Sequence, residues 1–302
     1  MIKSLRCIAA ACVLAGVSGL SMAGPVILGG DDLTDHGSRT DGGANLAGWL
    51  YIEKAVSNVL SGVTRAGTIT TDIVALGSAA NPTFTASNAG GAIGSAAQVL
   101  SKSVTYIDGA TAINQFFVNL ANGTINPNML WFAGTDAVNN LDAAEGLALT
   151  ANAAAINSFG GSGGGIMAHG SGTTAYGWLS ALLPQLVENS VCNSTGATLT
   201  AAGTAAFPGL TNANVDSNAG PCHSSFTGNF GGLTTLALDG NGRSYIIGGG
   251  AGTLIQCGLP GQPPCPTNQV PEPSSLLLVA IAGLGLAVTL RRRQSKASKS
   301  IV

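Results

Sequence analysis

The sequence predicts an α/β body: a mostly parallel sheet with helices on both faces, a C-terminal β-hairpin, and a single C-terminal transmembrane helix beyond it. Three observations predict it. Short apolar runs alternate with segments whose apolar residues recur at helical spacing, the pattern of a parallel sheet covered on both faces. Two apolar runs joined around Asp239, Gly240, Asn241 and Gly242 read as a hairpin. An uncharged run follows Pro271-Glu272-Pro273 and ends in three arginines.

The elements are expected in this order. Residues 26–29 form a strand. Residues 45–60 form a helix, with Leu46, Trp49, Leu50, Val56, Val59 and Leu60 on one stripe. Strands at 73–76 and 104–107 flank a helix at 92–100. A helix at 111–120 carries Ile113, Phe116, Phe117 and Leu120 on one side, and a strand at 129–133 follows. Asp142 and Glu145 have capping-box spacing for a helix reaching Phe159. A short strand at 166–168, a helix at 176–187, and the hairpin of 233–238 with 244–247 complete the body. No repeat of fixed period is present, which disfavours a solenoid or propeller.

The ends have their own logic. Lys3 and Arg6 precede an apolar run from Cys7 to Leu20, then Ser21-Met22-Ala23, the plan of a cleavable signal peptide over residues 1–23. The body spans 24–258, and a Pro-rich linker occupies 259–273. Residues 274–290 are uncharged, and about 17 residues at 1.5 Å each reach about 25 Å, the short limit for a membrane helix. Residues 291–302 form a basic tail, expected on the cytoplasmic side.

Charge narrows the partners. The chain has a formal net charge of −2, but the stretch from Gly24 to Val270 holds five bases against thirteen acids, a net −8. Phosphate backbones need Lys and Arg, so nucleic acid is not an expected partner.

Four cysteines outlast the signal peptide: Cys192, Cys222, Cys257 and Cys265. An even count in an exported chain reads as disulfides with three possible connectivities, of which Cys192–Cys222 with Cys257–Cys265 is favoured. Zinc is the rival reading, but the chain has no Cys-x-x-Cys and His223 is the one nearby imidazole.

Ligands of open parallel sheets bind beyond the carboxyl ends of the strands. The densest polar group there is Asp31, Asp32, Asp35 and His36, a candidate divalent-metal loop. Its carboxylates suit Ca²⁺ or Mg²⁺ and its imidazole a transition metal; a helix-capping loop with solvated acids is the plainer alternative. The Gly-rich turn from Gly160 to Gly172 offers His169 and Ser171 as candidate catalytic groups, and His223 approaches the same face from the C-terminal region. His36, His169 and His223 are the only histidines of the chain. A shared site would bring the three together; otherwise they are separate loop residues.

Two resemblances attach to these residues. Val270-Pro271-Glu272-Pro273, the Gly/Ala/Leu-rich run and Arg291-Arg292-Arg293 resemble the PEP-CTERM sorting signal. That resemblance implies a Gram-negative host and an exosortase, a membrane transpeptidase-like partner acting near Pro271-Glu272-Pro273. It also implies a protein anchored in the membrane, then delivered to the cell surface or the extracellular polysaccharide matrix. The body is similar in layout to class I glutamine-amidotransferase-like domains, whose nucleophile sits on a Gly-rich strand-to-helix turn. Here Ala168 or Gly170 occupies that position and no body cysteine precedes Cys192, so the amidotransferase chemistry is not implied. The expected function is therefore a binding or structural module of the cell surface. The alternative is a divergent hydrolase or metal-dependent enzyme using the His36, His169 and His223 loops.

Overall fold

Alternation along single strands separates two cores in this protein. In the central strands, Ile27, Ile73, Ala75, Met129, Trp131 and Met167 pack into one cluster, while Leu28, Val74, Leu76, Leu130, Phe132 and Ala168 pack into another. Successive strand residues point to opposite faces, so two cores on one sheet mean that both faces are covered. The computed structural model describes residues 24–249 apart from 82, 85–87, 135–140 and 217–219.

The strands are β1 (Val26–Gly29), β2 (Gly37–Arg39), β3 (Asn45–Ala47), β4 (Thr71–Leu76), β5 (Val104–Ile107) and β6 (Pro127–Phe132). Then come β7 (Gly165–Ala168), β8 (Leu186–Asn189), β9 (Thr198–Leu199), β10 (Ser225–Gly228), β11 (Thr234–Leu238) and β12 (Ser244–Gly249). The helices are α1 (Gly48–Ser61), α2 (Ala89–Val99), α3 (Ala110–Ala121), α4 (Ala143–Ala151) and α5 (Ala153–Gly161). Four short ones follow: α6 (Gly172–Tyr176), α7 (Leu179–Leu182), α8 (Ala201–Ala206) and α9 (Asn212–Asp216).

Ten strands make one sheet in the order β5-β4-β6-β7-β1-β12-β10-β8, with β11 beside β12 and β9 beside β11. From β5 to β1 every pairing is parallel. Beyond β1 every pairing is antiparallel. Strand β1 is thus the seam: Leu28 faces Ala168 on the parallel side and Ile247 on the antiparallel side. All four of its residues are buried, as a strand enclosed on both faces and both edges requires. The β2–β3 pair forms a separate two-stranded sheet.

Helices α1 and α2 cover the first core, through Trp49, Ile52, Val56 and Val59 of α1 and Ala92, Ile93 and Ala96 of α2. Helices α3, α4 and α5 cover the second, through Ile113, Phe116, Leu149, Ile156 and Phe159. The capping box at the start of α4 is made: Asp142 accepts from the Glu145 N–H, and Glu145 accepts from the Asp142 N–H. Glu145 also accepts the Gly109 N–H at 2.6 Å, which ties the start of α4 to the start of α3.

Several expectations are corrected. The helix expected to run from Asp142 to Phe159 is two helices that meet at Asn152. There the Asn152 side chain donates to the Ala148 carbonyl at 2.8 Å and competes with the helix ladder. Of the helix expected over 176–187, only α7 (Leu179–Leu182) forms, after α6 has ended at Tyr176. Pro184 disfavours helix at Leu183, whose backbone leaves the helical region (φ −134°, ψ 78°), and the chain re-forms as β8. The hairpin is present, but β12 is not peripheral: it lies against β1 in the middle of the sheet. The fold expectation that included a transmembrane helix is also corrected, because no helix among the described residues is long and apolar enough to cross a membrane. Residues 274–290, where that helix is expected, lie outside the described residues, as do residues 1–23, 259–273 and 291–302.

Candidate functional site

The site lies where β1 ends at the seam. The chain turns at Gly30, where a Cβ would sit 1.9 Å from the Ser224 carbonyl oxygen, so only glycine lets the two backbones approach. Residues 30–32 are laced to residues 221–224. Asp32 N–H donates to the Pro221 carbonyl at 2.9 Å, His223 and Ser224 N–H groups donate to the Gly30 carbonyl, and Asp31 bridges Cys222. Cys222 is disulfide-bonded to Cys192, with Cα atoms 5.6 Å apart. Cys257 and Cys265 lie outside the described residues, as do Pro271, Glu272 and Pro273.

Two adjacent carboxylates point to different partners. Asp31, fully buried, meets His169 Nδ1 at 2.9 Å through Oδ1, which also accepts the Leu33 N–H at 3.1 Å. His169 is equally buried, and its Nε2 accepts the Trp131 indole N–H at 3.1 Å. An indole nitrogen only donates, so Nε2 carries the lone pair and Nδ1–H donates to Asp31. Both ring nitrogens are committed, and Tyr51 packs edge-on with its ring centroid 6.4 Å away. Tyr51, Tyr176 and Tyr245 enclose this centre. Burial first, and the Asp31 charge second, push all three hydroxyls well above the ordinary tyrosine value.

Asp32 faces the surface pair. Its Oδ2 lies 2.9 Å from His223 Nε2 and 3.4 Å from His36 Nε2. Burial alone would raise the Asp32 carboxyl, but the hydrogen bonds from His223 and His36 outweigh it and hold the group well below the usual carboxylate range. His36 is raised by its bond to Asp32 against the opposing effect of its burial, with the Asp35 charge contributing. The His223 side chain is 41% exposed and that of His36 23%, whereas that of Asp32 is only 6% exposed.

Of the predicted residues, therefore, His36 and His223 converge on Asp32, while His169 turns to Asp31 in the interior. Asp35 closes the turn, with its N–H on the Asp32 carbonyl at 2.7 Å. Ser171 is the half-exposed residue before α6, and Gly170, at φ +95°, makes the turn between it and His169. The His169 ring cannot serve Ser171 as a base, because neither nitrogen is available. Sequence reasoning missed Trp131 and the three tyrosines; aromatic residues within apolar strands and helices read as core, and nothing in the sequence marks them as neighbours of a buried carboxylate–imidazole hydrogen bond. An open depression lined by Phe84, Gln98, Lys102 and Tyr106 adjoins edge strand β5 and shares no residue with this site.

The PEP-CTERM protein-sorting motif matches residues 269–293. No curated protein and no solved structure is significantly similar to the chain. The motif implies export and sorting toward the cell surface of a Gram-negative bacterium, with exosortase as the processing partner. It covers the tail alone, so the role of the body rests on the body's own chemistry.

Proposed function

We propose that the body is a non-catalytic module of the cell surface or its matrix, exported through a signal peptide and delivered by the PEP-CTERM tail. The observation that carries this reading is the state of His169. The imidazole on the strand-to-helix turn, where a nucleophile or base would be most useful, spends both nitrogens inside the fold. A general base must reach the proton it removes, and this one faces Asp31 and Trp131 instead. The body's acidic charge favours neutral partners, and uncharged polysaccharide fits a chain with so few bases.

The test has two arms. The purified chain is assayed against ester, amide, glycoside and phosphoester substrates beside a Ser171→Ala variant, and co-sedimented with matrix polysaccharide from its host. The expected result is no turnover, with co-sedimentation. Turnover that Ser171→Ala abolishes would replace this reading with the hydrolase alternative.

A further inference from the structure

We propose that Asp32, His36 and His223 form a binding site for a divalent transition-metal ion of the zinc class. This goes beyond the reading of the body as a surface module and does not depend on it.

The donor set is the first ground. Two imidazoles and one carboxylate suit zinc-like ions; Ca²⁺ and Mg²⁺ prefer all-oxygen shells. Three protein ligands leave a fourth position for water or a ligand group. Spacing is the second ground. Ligand atoms about 2.0–2.1 Å from a tetrahedral ion stand roughly 3.3 Å apart. The Asp32 Oδ2 to Nε2 separations, 2.9 Å to His223 and 3.4 Å to His36, bracket that value.

The third ground is independent of the histidines. Asp32 Oδ1 is buried with no hydrogen-bond partner, on a side chain only 6% exposed. Leaving a buried acceptor unsatisfied is costly, and a bound cation removes that cost. The same carboxylate presents its other oxygen to both imidazoles, so the unsatisfied oxygen belongs to the cluster itself.

Neighbouring candidates fall away on geometry. Asp31 gives Oδ1 to His169. Among the described residues, the one trio with all ligand atoms within 4.8 Å of one another is Cys192, Cys222 and Asp239. Its sulfurs are bonded to each other, and Asp239 accepts from the backbone of Asn193, Asn241 and Arg243. Since His36, Asp32 and His223 do not meet that mutual limit, the two imidazoles approach Asp32 from different sides. Loading the ion must therefore draw the exposed His223 ring toward His36. The backbone need not move, because residues 221–224 are already laced to residues 30–32. The bound ion would cross-link these two segments at the seam of the sheet.

The test is calorimetric titration of Zn²⁺ into the full chain after chelator treatment, with Ca²⁺ and Mg²⁺ titrated in parallel. One Zn²⁺ per chain is expected, with no comparable heat from Ca²⁺ or Mg²⁺. His36→Ala and His223→Ala should each weaken Zn²⁺ binding by about tenfold or more, since losing even an outer-shell partner costs 10- to 100-fold. Asp32→Asn alters a buried group and endangers the fold, so the exposed His223→Ala carries the decision, with its melting curve confirming that it is folded. No Zn²⁺ binding by the wild-type chain, or unchanged affinity in both histidine variants, overturns the site.

Discussion

His169 and Asp31 are joined at 2.9 Å with neither side chain exposed to solvent, although 138 residues separate them in the chain. The bond fastens the end of β7 to the end of β1, the two parallel strands at the seam. A neutral imidazole held by a buried carboxylate is a structural clamp, and its value is best seen by breaking one side.

His169→Ala should destabilise the fold by about 3 kcal/mol or more, because it leaves the buried Asp31 carboxylate only the Leu33 N–H among its donors and opens a cavity at a fully buried ring. Trp131→Phe removes the indole N–H and also shrinks a fully buried ring, and should cost about 1–3 kcal/mol. Urea denaturation of the two variants beside the wild-type chain measures both. Equal small losses would mean that His169 is no more than a packing residue.

The surface pair predicts a pH dependence in metal-free protein. Asp32 is depressed from its ordinary 3.8, so its contribution is present above that value and fades as the pH falls toward its lower folded value. His36 is raised from its ordinary 6.5, so its contribution is complete below that value and is lost as the pH rises through its folded value. Both contributions are therefore in place between about pH 4 and 6.5. Denaturation midpoints over a pH series should decline on the alkaline side of that window. His36→Gln should flatten the decline, and an unchanged alkaline slope in that variant would count against it.

The two cores were legible because their signals are local: apolar runs and helical stripes place β1, β4, β5, β6, β7 and α1 to α3 close to where they lie, although Asn45–Ala47, expected as the start of α1, is strand β3, and Leu46 of the expected stripe is exposed. The antiparallel half was less legible. Its strands β8, β9 and β10 are short and polar, and Ser225 to Gly228 alternates too little to announce a strand. At the site, the sequence singled out Asp32, His36 and His223 as candidates, and the structure brings the two imidazoles to Asp32. The sequence alone could not separate Asp31 from Asp32. Adjacent side chains on an extended segment point opposite ways, and which one faces inward depends on Trp131 and His169, far along the chain.

The Cys192–Cys222 bridge closes a separation of 30 residues beside His223. On a chain-entropy basis it should contribute about 3–4 kcal/mol. A Cys192→Ala/Cys222→Ala double variant should lose that much in urea denaturation, yet fold, because the backbone bonds between residues 30–32 and 221–224 do not depend on sulfur. A loss below about 1 kcal/mol would show that the bridge restrains little in the unfolded chain.

The last prediction concerns the sorting motif at residues 269–293. Pro271 and Pro273 fix their own φ and disfavour helix in the residues before them, Val270 and Glu272. A proline-flanked motif gives up less backbone entropy on entering an enzyme's cleft than an unrestricted one, which suits it to recognition by a processing protease or transpeptidase. The uncharged segment after it and the cluster Arg291-Arg292-Arg293 complete the signal that exosortase reads. Processing should therefore separate the body from the tail near Glu272. Replacing Pro271-Glu272-Pro273 by three alanines should leave export intact, since residues 1–23 are untouched, while the full-length form accumulates. Mass spectrometry of protein taken from the cell surface decides the matter: the wild-type C-terminus should fall near Glu272, and the alanine variant should still end at Val302. A wild-type surface form ending at Val302, in a host with active exosortase, would mean that the motif is carried without being cut.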